Sequence, residues 1–200
     1  KENNLQFMET HRSNDLYFVC ISLAMAKRVT ILEEKLVNYR KSSGSLQANN
    51  ANSPWDWYEA LKAVRTKLME LGIYEDVEYS YKNYVLDVSF YNLESMGNAQ
   101  VFSMVYEKIK KEIFKELGME ELKKEEINSW NEKYYEQYLQ LKASGEKEYL
   151  FYRIKELKKE NQYWMERARK AEQDTKNNII YITARNIWIM ARRILRKKGN

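Results

Sequence analysis

Pro54 is the only proline in a chain of 200 residues, and only six glycines accompany it. Proline and glycine are the residues that most strongly interrupt helices, so their scarcity leaves long uninterrupted segments. With 44% hydrophobic and 32% charged residues, the chain has a globular composition that leans toward the Ala/Glu/Lys/Leu/Arg-rich usage of long helices. The expected fold is mainly α: a helical bundle with one small antiparallel β-hairpin and a long helical C-terminal part.

Residues 1–14 carry no hydrophobic period and read as a loosely tied N-terminal arm, after which Asn14 or Asp15 can cap a helix. Ile21, Met25, Val29, Leu32, Leu36 and Tyr39 recur at helical spacing and predict one long helix from Leu16 to about Tyr39. The apolar run Leu16–Ala26 superficially matches a secretory signal, but its flank mixes acids with bases. It also falls short of the roughly 20 residues a membrane span needs.

Residues 41–53 are small, polar and aperiodic, which predicts a flexible loop or hinge. Ser53 then offers an N-cap, Pro54 a first helical residue, and Trp57, Leu61, Val64, Leu68 and Leu71 a buried stripe that Gly72 terminates. Beyond it the period changes to two. Val77, Tyr79 and Tyr81 alternate with polar residues, as do Leu86, Val88 and Phe90 beyond Lys82-Asn83, which predicts a β-hairpin within residues 74–91. A helix after Gly97-Asn98 turns Phe102, Val105, Ile109, Ile113 and Leu117 inward and stops at Gly118. Another carries Ile127, Trp130, Tyr134, Tyr138 and Leu141 and stops near Gly145. Two parts are expected, 1–118 with the hairpin and 119–200 ending in a basic helix, unless they form one continuous domain.

Leu150, Ile154, Leu157, Asn161, Trp164, Ala168 and Ala171 follow a four-three rhythm for about three heptads. This predicts a helix–helix seam at Leu150, Ile154, Leu157, Asn161 and Trp164, within the chain in the first instance and between chains in the second. A final helix is expected from about Asn178 to Lys197.

One histidine, His11, and one cysteine, Cys20, offer no zinc ligand set, and none is expected. The single cysteine also points to a reducing, cytoplasmic setting. No phosphate-binding glycine loop, dinucleotide fingerprint or nucleophile elbow is present, so neither a cofactor nor an enzyme active site is expected. Asp87 on a predicted strand after a helix bearing Glu70 resembles half of a metal-dependent nuclease pattern. Val88-Ser89-Phe90 follows it, so the Glu-x-Lys half is missing. A helix followed by a hairpin resembles part of a winged-helix module over about 40 residues, without the three-helix core. The tyrosines of the hairpin, Tyr74, Tyr79, Tyr81, Tyr84 and Tyr91, suit either base stacking or cross-strand packing.

Charge is the main functional signal. After Asp174 there is no acid, while Lys176, Arg185, Arg192, Arg193, Arg196, Lys197 and Lys198 supply seven positive charges. Removing those seven from the net +5 leaves residues 1–174 at −2. On a helix, Arg185, Arg192 and Arg196 cluster roughly opposite a stripe of Ile180, Ile187, Ala191 and Ile194. Arginine donates in a planar fork that matches phosphate. The residues expected to meet nucleic acid are therefore Arg185, Arg192, Arg193, Arg196, Lys197 and Lys198. The expected function is a non-enzymatic regulatory or accessory factor that binds a protein partner and contacts nucleic-acid backbone. The alternative is a structural or adaptor subunit of a protein assembly, such as a phage particle, with no nucleic-acid role. No membrane association is expected, and an oligomer is allowed.

Overall fold

A computed structural model describes residues 5–37 and 50–197, the last of these, 184–197, by their backbone alone. It is predominantly helical, and no strand occurs among the described residues. The chain divides into two compact units, Lys1–Tyr149 and Leu150–Asn200. The expected boundary at 118 falls inside the first, because Leu117, Met119 and Leu122 on either side of it are buried in one core.

Helix α1 spans Leu16–Met25, with Asp15 at the cap position but making no side-chain cap bond. The predicted continuation to Tyr39 is corrected as far as Val37. At Ala26 the backbone turns extended, and residues 27–37 form no regular element. Val29, Ile31, Leu32, Leu36 and Val37 are exposed there. The apolar spacing was present but nothing among the described residues covers it, and a helix gains most of its stability from a buried face. The β-branched run Val29-Thr30-Ile31 adds a local penalty. Residues 38 and 39, and most of the predicted 41–53 loop, lie outside the described residues. The N-terminal arm is tied more firmly than expected: the Arg12 backbone N–H donates to Asp56 Oδ2 at 2.8 Å, and Phe7 stacks on Phe18 at 4.7 Å.

Helix α2 spans Asp56–Glu70, starting two residues later than Pro54 would place it. The Trp57 indole N–H donates back to the Pro54 carbonyl at 2.7 Å, so the proline shapes the approach rather than the first turn. Trp57, Leu61, Val64 and Leu68 are buried as the spacing requires. Gly72 ends the helix at φ 68, where the N–H of Ile73 reaches the Leu68 carbonyl at 3.1 Å. A left-handed residue closing such a bond suits glycine, which lacks a Cβ.

Helix α3, Tyr74–Glu94, replaces the predicted β-hairpin. The same residues satisfy a helical period: Tyr81, Val85, Leu86, Ser89, Phe90 and Leu93 are buried on one face. Tyr79, which took part in the apparent alternation, is half-exposed, as are Tyr84 and Tyr91. The expected turn residues Lys82 and Asn83 are buried in mid-helix. The winged-helix resemblance goes with the hairpin, and so does the strand position of Asp87, which lies on α3.

Helix α4, Ala99–Lys108, is capped by Asn98, whose side chain accepts from the N–H groups of Gln100 and Val101. It runs through one π-helical turn, Ile109–Ile113, into the short α5, Phe114–Glu116. Val105, Ile109, Ile113 and Leu117 are fully buried, as their spacing predicts, and Gly118 at φ 76 ends the run. After a 3₁₀ turn, Lys124–Glu126, helix α6 spans Glu132–Ala143. Ile127 and Trp130, expected inside this helix, precede it, and Trp130 is 85% exposed. Aromatic rings join the layers of this unit: Phe90 of α3 lies 6.1 Å from Phe114 and 5.9 Å from Tyr134, and Phe114 lies 5.3 Å from Tyr138.

Helix α7 spans Glu146–Lys197 in one piece of 52 residues. The two helices expected in this stretch are one, because no Gly or Pro lies between Gly145 and Gly199. Thr175, between the two expected helices, bonds its hydroxyl to the Ala171 carbonyl one turn back, at 2.8 Å, and stays helical. Its first turn still belongs to the N-terminal unit, where the Tyr149 hydroxyl donates to Gln137 Oε1 at 3.1 Å.

Candidate functional site

The functional residues expected from the sequence all fall beyond Tyr149, in the second unit, and those up to Lys197 lie on α7. Leu150, Ile154, Leu157, Asn161 and Trp164 are exposed, with Ile154 at 50%, Leu157 at 51% and Trp164 at 60%. Large apolar groups in a four-three row normally gain their stabilisation from being covered. Here they present a continuous stripe to solvent.

The flanks of that stripe are charged and locally paired. Lys159 meets Glu156 at 2.6 Å, and Lys176 meets Glu172 at 2.7 Å. Such exposed pairs contribute little stability and mainly keep the helix surface solvated. Trp164 stands edge-on to Tyr163 at 5.2 Å, and the Arg167 guanidinium lies 5.5 Å from the Trp164 ring and 5.8 Å from the Tyr163 ring. The Arg167 Nη1 donates to the Tyr163 hydroxyl at 3.2 Å. Arginine over aromatic faces is held by their negative quadrupole, which fixes a cation beside the stripe.

Arg185, Arg192, Arg193, Arg196 and Lys197 lie on the helical backbone of α7, and their side chains are outside the described residues, as is Lys198 altogether. Their charge is a property of the sequence. Between Asp174 and the end of the chain nothing negative offsets it.

The first unit holds features of a different kind. Among the described residues no group of three or more His, Cys, Asp or Glu side chains could hold a metal ion. Glu70, the helix carboxylate of the nuclease-like pattern, pairs with Lys67 at 3.0 Å, and His11 is exposed on the arm. A groove of about 350 Å³ is lined by Cys20, Leu23, Ala24, Val64, Leu68, Val77, Ser80, Tyr81 and Tyr84. Burial pushes the Cys20 thiol up, opposed by a hydrogen bond with Tyr84. Burial likewise pushes the Tyr84 phenol up to about 12. Both shifts favour the neutral thiol and the neutral phenol, in keeping with the apolar lining of the groove.

A polar cluster that sequence reasoning missed centres on Asn83. Its amide donates to the Tyr79 and Glu126 carbonyls, both at 2.8 Å, and its Oδ1 accepts from the Asn128 N–H at 2.9 Å. Asn131 donates to the Asn83 carbonyl at 2.7 Å. Beside it, Lys82 pairs with Glu126 and with Glu78 at 3.1 Å. The cluster fastens the segment before α6 onto α3, with both the donor and the acceptor of the Asn83 amide bonded across to that segment. The signal in the sequence was Asn128 and Asn131 at a spacing of three, which has no distinctive meaning without knowledge of what they face.

Comparison with protein-family models, with curated proteins and with solved structures finds no match to the chain. Among the described residues no helix is long and apolar enough to cross a membrane.

Proposed function

We propose that the chain is a non-enzymatic accessory factor: α7 contacts nucleic-acid backbone through its basic end and a protein partner through its apolar stripe. The observation that carries the nucleic-acid part is the charge run after Asp174, seven bases and no acid, six of the bases on α7, whose described side chains beyond Arg153 are almost all exposed. Lysine and arginine that neutralise phosphates release condensed counterions, which gives affinity without sequence reading. Arg185, Arg192 and Arg196 share a face by helical spacing and form the centre of the contact. Arg193, Lys197 and Lys198 extend it.

Fluorescence anisotropy with labelled generic DNA and RNA tests this reading. The whole chain binds at low salt and weakens steeply as salt rises. The triple variant Arg185→Gln, Arg192→Gln, Arg196→Gln binds more weakly, and the slope of log affinity against log salt flattens by as much as about three. Unchanged circular dichroism shows that the helix persists. Absence of affinity for either nucleic acid at low salt overturns the reading.

In that event the second reading leads, an adaptor subunit that binds protein alone. It draws on the exposed stripe from Leu150 to Trp164, which needs no charge to function.

A further inference from the structure

We propose that α7 pairs with α7 of a second copy of this chain, as a parallel two-stranded coiled coil over residues 150–171, with Asn161 facing Asn161. The inference names the protein partner of the preceding reading, but it stands on the stripe alone and needs no nucleic acid.

The spacing assigns the layers. Ile154, Asn161 and Ala168 take the first core position of each heptad, conventionally a, and Leu150, Leu157, Trp164 and Ala171 take the fourth, d. A β-branched residue at a with leucine at d favours two parallel strands over three or four, because the two positions present different knob geometries to the facing helix. Ile154 with Leu150 and Leu157 fits that pattern.

Asn161 selects the orientation. An amide placed in an apolar seam is costly unless its donor and acceptor are met. In parallel register each Asn161 meets the other, and one amide donates to its mate. In an antiparallel pair the a position packs on a d position of the other helix, so Asn161 would face Trp164 or Leu157 and lose that partner. A single Asn at a position of this kind is a known way to fix register and strand number, at some cost in stability.

The flanks contribute less. In parallel register Arg167 faces Glu172 of the second copy, which is favourable, while Arg153 is buried and takes no part in the flank. The layers therefore decide the pairing. The exposure of every seam residue supplies the driving force, since about 33 Å of helix, 22 residues at about 1.5 Å each, keeps its apolar row in water until a second helix covers it.

The test uses the whole chain without nucleic acid. Sedimentation equilibrium across the micromolar range gives twice the 24.2 kDa of one chain, and Leu157→Asp returns it to the single mass. On a Cys20→Ser background, Leu150→Cys and Ala171→Cys, each alone, form a disulfide-linked dimer on mild oxidation, because parallel register puts each opposite itself. A single-chain mass throughout the range overturns the proposal. A doubled mass in which neither cysteine variant cross-links with itself overturns it too, since that is the behaviour of an antiparallel pair or of a contact elsewhere. Loss of nucleic-acid binding by the arginine variant with the mass still doubled bears on the proposed function only, so the two fail separately.

Discussion

The amide nitrogen of Asn83 donates to the carbonyl of Glu126, 43 residues away, at 2.8 Å. That bond, with the Asn128 N–H returning to Asn83 Oδ1, is what holds the connection between α5 and α6 against α3. An asparagine in the middle of a helix usually weakens it. Here the cost is offset by bonds that no aliphatic residue could make.

Asn83→Ala is expected to destabilise the chain by about 2–4 kcal/mol, because it leaves a carbonyl and an N–H without partners in a partly buried setting. Asn83→Asp should cost at least as much, since a carboxylate oxygen would then face the Tyr79 and Glu126 carbonyls. Urea denaturation followed by tryptophan fluorescence measures both. Changes below about 0.5 kcal/mol, the range of an ordinary surface substitution, would show that the cluster carries no stability.

The two left-handed glycines differ in their surroundings, and this predicts an order of effects. An added Cβ at Gly72 meets nothing within 4 Å, so Gly72→Ala costs only the backbone penalty of about 1–2 kcal/mol. At Gly118 the same atom comes within 3.2 Å of Arg65 Nη2 and 3.4 Å of the Tyr74 hydroxyl. Arg65 is held there by the Glu116 carbonyl at 3.2 Å and by the Tyr74 ring. Gly118→Ala therefore lowers the melting temperature more than Gly72→Ala, and the reverse order would refute the crowding at Gly118.

Acid should weaken the first unit partly through Glu126. Its carboxyl is held below the usual carboxylate range by Lys82 and by the Lys123 backbone N–H, against the opposing effect of burial. A depressed folded value means that the stabilisation is complete above the unfolded value of about 4.3 and is lost as pH falls through the lower folded value. Glu116 titrates in the same direction, chiefly through its bond from the Tyr58 hydroxyl. Glu126→Gln should reduce, without abolishing, the fall in urea midpoint between about pH 5 and the onset of acid unfolding. An unaltered fall would mean that the Lys82 pair does not persist in solution.

What the sequence determined by itself was the helical class, several of the stops and two of the buried faces, those of α2 and α4. Gly72 and Gly118 end helices because the left-handed backbone there is open chiefly to glycine, a local constraint that needs no neighbour to act. Val105, Ile109, Ile113 and Leu117 were legible because their spacing fits a helix and no other period. The charge run after Asp174 and the heptad from Leu150 to Ala171 were equally plain, and they define the candidate surfaces on α7. Tertiary structure decided the rest. Val77, Tyr79 and Tyr81 with Leu86, Val88 and Phe90 fit a strand period while residues 74–91 also fit a helical one, and burial of Val85, Leu86, Phe90 and Leu93 in the core selects α3. Val29, Leu32 and Leu36 have the spacing of a buried stripe as much as Leu61, Val64 and Leu68 do, yet among the described residues only the second set is covered. A periodic row states which side chains can be buried together. Whether they are buried depends on an opposing face that lies elsewhere in the chain.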